Sequence, residues 1–227
     1  MSISYPEITK NSEINNRSIQ FANIVKNKFK NIVVPISDLI MSDNVINQSD
    51  FESYFLYGVL FELGYNLGIK KVLNKDIDVN EALKENARIM TFLKSNAISL
   101  FIAEKLHSVN EIKNLEKIQN IFFVDIIRTM RFGYSNDFSK SSIIIYNYLK
   151  KRGAISINRK NKYKLNHNKF KNAITDLITQ IIVIQGNGNY NEAKMFIESN
   201  SVVPKEIKNT IQQISDNKTP IDILLND

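Results

Sequence analysis

Cysteine is absent from the 227 residues, which excludes disulfides, thiolate nucleophiles and cysteine-held metals and fits a reducing compartment. Glycine (7) and proline (4) are scarce and none of them gathers into a linker, so little of the chain suits turns and long helices are expected. The histidines are His107 and His167, far apart in sequence and each expected at a surface or helix end. No apolar run reaches the length of a membrane span. The polar stretch Met1 to Arg17, with Glu7, Lys10 and Glu13, has no apolar signal segment. These absences lead to the expectation of a chain in the cytoplasm or another reducing intracellular compartment.

What is present is an apolar fraction of 43%, enough for an ordinary packed core. A net charge of +7, from 30 Lys+Arg against 23 Asp+Glu, raises nucleic acid or another anionic partner. The basic residues form no run longer than Lys150-Lys151-Arg152 and Arg159-Lys160, and aromatics do not alternate with them as a base-stacking surface requires. Charge alone therefore supports nucleic-acid binding weakly.

Helical spacing recurs along the chain. Phe170, Ala173, Ile174, Leu177, Ile178, Ile181 and Ile182 define one face of a helix expected to stop at Gly186. Similar spacing gives buried faces on Phe51, Phe55, Val59 and Leu63, through Ala82 to Leu106, and on Leu115, Ile118, Phe122, Ile126 and Met130. Asn189 is an N-cap candidate for a helix to about Ser199, and Pro204 suits the first turn of a last helix. Ile155 to Ile157 and Tyr163 to Leu165, alternating around a polar turn, read as a hairpin within about 154–165. Ser142 to Leu149 fits strand by propensity and helix by position. Gln185-Gly186-Asn187-Gly188-Asn189 lacks the Lys-Ser/Thr of a phosphate loop and follows a helix, so it reads as a C-cap and turn.

Three stretches taken together resemble the dipeptidyl peptidase III family of zinc peptidases. Phe61-Glu62-Leu63-Gly64-Tyr65-Asn66-Leu67-Gly68 is similar to that family's zinc-site pattern H-E-L-x-H-G-L-G. Glu81-Ala82-Leu83-Lys84-Glu85 resembles the start of its next helix, E-A-L-K-E. Arg131-Phe132-Gly133, Tyr148-Leu149 with Gly153-Ala154, Ile184-Gln185-Gly186-Asn187-Gly188-Asn189-Tyr190 and Pro220-Ile221-Asp222-Ile223 follow in family order. The resemblance implies a mainly α fold, a helical zinc-lobe-like domain at 31–227 after an N-terminal extension at 1–30.

It also implies which side chains stand where a metal site would be. The two His positions fall on Phe61 and Tyr65, the Glu-Glu pair carrying the third ligand on Thr91 and Phe92, and the assisting His on Phe138, while the general-base position keeps Glu62. Phenylalanine has no lone pair for a metal, and a neutral tyrosine is a poor substitute for imidazole. No metal and no cofactor are expected, and Glu62 reads as vestigial, a helix carboxylate paired with Lys70, Lys71 or Arg131. In the family a preceding lobe forms the other wall of the cleft, here expected to be absent or supplied by another chain.

The resulting expectation is not an enzyme but a pseudopeptidase, a binding or structural subunit whose partner is another protein or a larger complex. The alternatives are a metal-free hydrolase using Glu62 and a basic nucleic-acid- or ribosome-associated protein.

Overall fold

The computed structural model describes residues 2–8 and 14–223, with side chains from Ile19 onward. Strands β1 (Ser2–Ile8) and β2 (Ile14–Gln20) pair antiparallel, Ser2 opposite Gln20 and Ile8 opposite Ile14. The sequence reading had no counterpart to this pairing, because polar residues and Pro6 mask any alternation. Helix α1 (Ala22–Lys28) runs through a π-helical turn at Phe29–Val33 into α2 (Val34–Ile40). Val25 and Phe29, inside the stretch 1–30, already belong to the core.

A capping box starts α3 (Phe51–Asn66): Asn47 Oδ1 accepts from Ser49 N–H, and Asp50 Oδ2 accepts from Asn47 N–H. Asp78 caps the short α4 (Val79–Leu83), which breaks at Lys84, φ +52°, before α5 (Ala87–Ser108). The continuous helix expected from Ala82 to Leu106 is therefore two. Helices α6 (Leu115–Met130) and α7 (Asp137–Lys151) follow. Ser142 to Leu149 lies inside α7, so its isoleucines and tyrosines fill a helix face despite their strand propensity.

Strands β3 (Ile155–Ile157) and β4 (Tyr163–Leu165) form the expected hairpin, its turn held by Asn158 Oδ1 accepting from the Lys160 and Lys162 amides. Helices α8 (His167–Asn187), α9 (Tyr190–Asn200) and α10 (Lys205–Asp216) complete the order. Helix α8 does not stop at Gly186. It continues to a left-handed cap at Gly188, φ +59°, a conformation that suits glycine. Asn189 caps α9 as expected, its Oδ1 accepting from Glu192 N–H, and Pro204 sits one position before α10, as its N-cap.

Helix α5 lies at the centre and packs against α3, α6, α7 and α8. Aromatic rings join the layers: Phe122 meets Phe170 at 5.8 Å, and Phe123 meets Tyr163 at 5.2 Å between ring centres. A Cβ on Gly64 would come within 2.6 Å of the Ser95 carbonyl oxygen, so glycine there sets how closely α3 approaches α5. The architecture is the expected one, mainly helical with a small antiparallel hairpin. Among the described residues no helix is long and apolar enough to cross a membrane.

One expected face is only half covered, with Phe51 and Phe55 packed against the core. Phe51, Phe55, Val59 and Leu63 read as the buried stripe of α3, yet Val59 and Leu63 are 42% and 44% exposed. Tyr54, Tyr57, Leu60 and Gly64 are the residues that face the core. The helix is apolar on nearly every side, so spacing alone could not tell which side would be covered.

Candidate functional site: an aromatic cluster beside a buried ion pair

The close approach at Gly64 brings the last two turns of α3 onto the first two of α5. Helix α3 contributes Phe61, Glu62 and Tyr65, and α5 contributes Thr91 and Phe92. The start of α7 supplies the rest: Asn136 accepts from Ser139 N–H at 2.8 Å and donates to the Gly133 carbonyl at 3.0 Å, which fixes Phe138 in the first helical turn.

The four rings form a chain, with centres 6.1 Å apart for Phe61 and Phe138, 5.1 Å for Phe138 and Phe92, and 6.4 Å for Phe92 and Tyr65. The first two contacts are edge-to-face, the arrangement ring quadrupoles favour. The Arg88 guanidinium lies over the outer face of Phe92, 5.7 Å from its centre. Phe61, Phe92 and Phe138 are half-buried and Tyr65 is 45% exposed. The cluster therefore lines a surface and is not sealed core.

Of the partners expected for Glu62, Lys71 pairs with Asp76 instead, and Arg131 donates to the Thr219 and Pro220 carbonyls. The Glu62 backbone carbonyl accepts from the Asn66 amide at 3.0 Å. Phe61, Glu62 and Phe138 border a cavity of about 210 Å³ that also reaches Lys28, Tyr54, Asp125 and Arg128. These last four were missed by the sequence reading. The signal for Asp125 and Arg128 was two opposite charges three residues apart in the otherwise apolar run Ile121 to Arg128, since buried charge must be paired.

Arg128 Nε donates to Asp125 Oδ1 at 2.7 Å, with both residues more than nine-tenths buried. Burial pushes the Asp125 carboxyl up, but Arg128 and then Lys28 outweigh it and hold the acid below its usual range. Burial lowers the Lys28 ammonium, an effect Asp125 partly opposes. Burial raises the Tyr54 and Tyr57 phenols, with Asp125 adding to it, so both stay neutral at ordinary pH. Tyr57 Oη donates to Asn96 Oδ1 at 3.1 Å, placing an amide, not an acid, beside the α3–α5 contact.

The fold is like that of dipeptidyl peptidase III, as superposition shows. The chain superposes on dipeptidyl peptidase III from Caldithrix abyssi with a TM-score of 0.88, at 22% identity, over 98% of this chain and 43% of that one. The enzyme from Corallococcus sp. strain EGB gives 0.87 at 20% identity, over 98% and 42%. Among curated proteins it is similar to Nudix hydrolase 3 of Arabidopsis thaliana, 22% identical over 210 residues, 90% of this chain and 27% of that protein. The chain thus spans about a quarter of that relative and less than half of either peptidase. No family model matches it.

These likenesses correct the expectation that the chain is not an enzyme. Both structures are of peptidases and the curated relative is named a hydrolase, so its kin stand among hydrolases. The side chains that the resemblance sets at metal-ligand positions do not fit zinc: Phe61, Phe92 and Phe138 offer no lone pair, and Thr91 and Tyr65 offer hydroxyls. Among the described residues no three His, Cys, Asp or Glu side chains gather as a metal cage.

Proposed function

We propose that this chain is a binding component that docks another protein through the exposed apolar stripe of α3. The observation that carries this reading is the open C-terminal half of that helix's expected buried stripe. A helix apolar all round is ordinarily covered on every side, whereas Val59 and Leu63 stand open and Leu67 continues their line at 42% exposed. The stripe carries no charge, so the occupant is a protein surface that is itself apolar and uncharged at the contact. A photo-crosslinking residue at Leu63, compared with one at the equally exposed Val183, tests this. Crosslinks to one defined species at Leu63 and not at Val183 support it; equal yields at both overturn it.

A second reading rests on the cavity beside the cluster. Glu62 borders it together with the Asp125–Arg128 pair and the neutral Tyr54 phenol, an arrangement with a carboxylate to accept a proton from water and donors for a developing oxyanion. Metal-independent hydrolysis of a short peptide or ester there should be lost in Glu62→Gln and retained with a chelator present. Activity unchanged in Glu62→Gln would sink this reading.

A further inference from the structure

A larger cavity, of about 660 Å³, lies where the end of α5 meets the starts of α6 and α8, and it shares no lining residue with the cavity beside Glu62. Both histidines of the chain, remote in sequence, line it. His107 Nδ1 is 2.9 Å from the Ile112 carbonyl oxygen and His167 Nδ1 is 2.5 Å from Gln119 Oε1. An oxygen of that kind only accepts, so each Nδ1 carries the hydrogen and each Nε2 is the nitrogen left for other partners.

The remaining lining is rich in donors. Lys117 is held by Asp50 at 2.9 Å and by the Val45 carbonyl, and Lys171 by Glu104 at 2.8 Å. Lys113 has no ion-pair partner among the described residues. Glu116 is the lining carboxylate; its side chain is 75% exposed and lies 3.9 Å from His167 Nε2. Helix α6, 16 residues long, begins at the cavity, and its N-cap residue Asn114 makes no side-chain capping bond. The positive end of that helix is thus left to whatever enters.

An independent observation comes from Asn120. It is 5% exposed, lines the same cavity, and its side-chain amide has no hydrogen-bond partner among the described residues. Its amide atoms are not among those sealed from solvent, so they open to the cavity, where water or a ligand would pair them.

We propose that this cavity binds a small organic molecule carrying a phosphate group. The phosphoryl oxygens would meet the start of α6 and Lys113, and would draw a second proton onto the Nε2 of each histidine, against the burial that lowers the His167 pKa. Asn120 would pair with polar groups on the remainder of the molecule. The volume favours an ester over the bare ion, since it falls within the range of small-molecule pockets.

Because the chain's two histidines both line the cavity, their imidazole NMR signals report on it without interference. The full chain, labelled at histidine and held near pH 6.5, about the ordinary pKa of the ring, is titrated with inorganic phosphate, ribose 5-phosphate and adenosine monophosphate, against sodium chloride at matched ionic strength. Saturable shifts of both rings with at least one ester, weakened roughly tenfold or more in Lys113→Ala, are the expected result. Asn120→Leu should weaken binding similarly while leaving the unliganded protein folded, with a thermal midpoint close to that of the wild type. Shifts that match those of chloride, or ester binding untouched by both variants, would overturn the site. Saturation by inorganic phosphate with no gain from either ester would overturn the organic ligand.

Discussion

Helices α3 and α6 have the same length, 16 residues, and both are strongly apolar, yet their surroundings are opposite. Helix α6 is enclosed from Ile118 to Met130 and hides an ion pair, while α3 leaves Val59 and Leu63 open. Composition thus sets how much apolar surface a helix has, and the neighbours decide how much of it is used. In α6 a charge survives because its counter-charge lies one turn away; in α3 the polar atoms sit at the ends and edges, where Lys94 and Asn66 reach the last carbonyls.

The largest expected effect is on the enclosed helix. Asp125→Asn leaves the Arg128 charge buried without its counter-charge, and should cost about 3–5 kcal/mol in chemical denaturation. A loss below about 1 kcal/mol would mean that the neighbouring cavity hydrates the pair. The pH dependence has a definite sign. The Asp125 carboxyl lies below its unfolded value because Arg128 and Lys28 outweigh burial. Its contribution is therefore present above the unfolded pKa and lost as pH falls through the folded one, and Asp125→Asn should flatten that acid limb.

At the end of α3 another pKa is lowered, and the sign is the same at a higher pH. Lys94 Nζ donates to the carbonyls of Tyr65 and Leu67, while burial, with repulsion from Lys70, lowers its pKa to about 8. The unfolded chain then holds more protons than the folded one between about 8 and the ordinary 10.5. Stability from this group should rise with pH across that window. The denaturation midpoint of the wild type should climb relative to Lys94→Met between those pH values; parallel curves would show that Lys94 is hydrated.

The cluster between these helices is intermediate. Phe92→Ala removes a ring held by Phe138 on one side and Tyr65 on the other, but a half-buried one, so a cost of about 1–2 kcal/mol is expected. A cost of about 3–5 kcal/mol, usual for enclosed aromatics, would instead show that the cluster is sealed by something in solution.

Much of this was legible in the sequence, and the reasons differ by element. The α6 face, the hairpin at Ile155 to Leu165 and the Asn189 cap follow from local rules of spacing and capping that tertiary contacts did not override. The meeting of Phe61, Tyr65, Phe92 and Phe138 followed from family resemblance, because nothing local links residues so distant in sequence. Their half-exposed setting did not follow, since burial depends on what stands opposite. The exposed side of α3 was misread for the same reason: with apolar residues all round, periodicity carries no phase. The cavity shared by His107 and His167 was invisible, because it is created by the packing of three helix ends.

The smallest expected change in stability is also the sharpest test of the contrast between the helices. Val59 and Leu63 keep 42% and 44% of their surface open to water. Replacing both by glutamate should change unfolding free energy by no more than about 0.5 kcal/mol, as for surface positions in general. The new charges cost little in water but cannot be desolvated cheaply against an apolar partner. The double variant should therefore fold like the wild type and lose the species captured by a photo-crosslinking residue at Leu67. The same charges on α6, for example Ile121→Glu and Phe122→Glu in the fully buried layer, should prevent folding altogether. If the α3 variant were instead destabilised by several kcal/mol, the stripe would be covered within this chain, and α3 and α6 would no longer differ in kind.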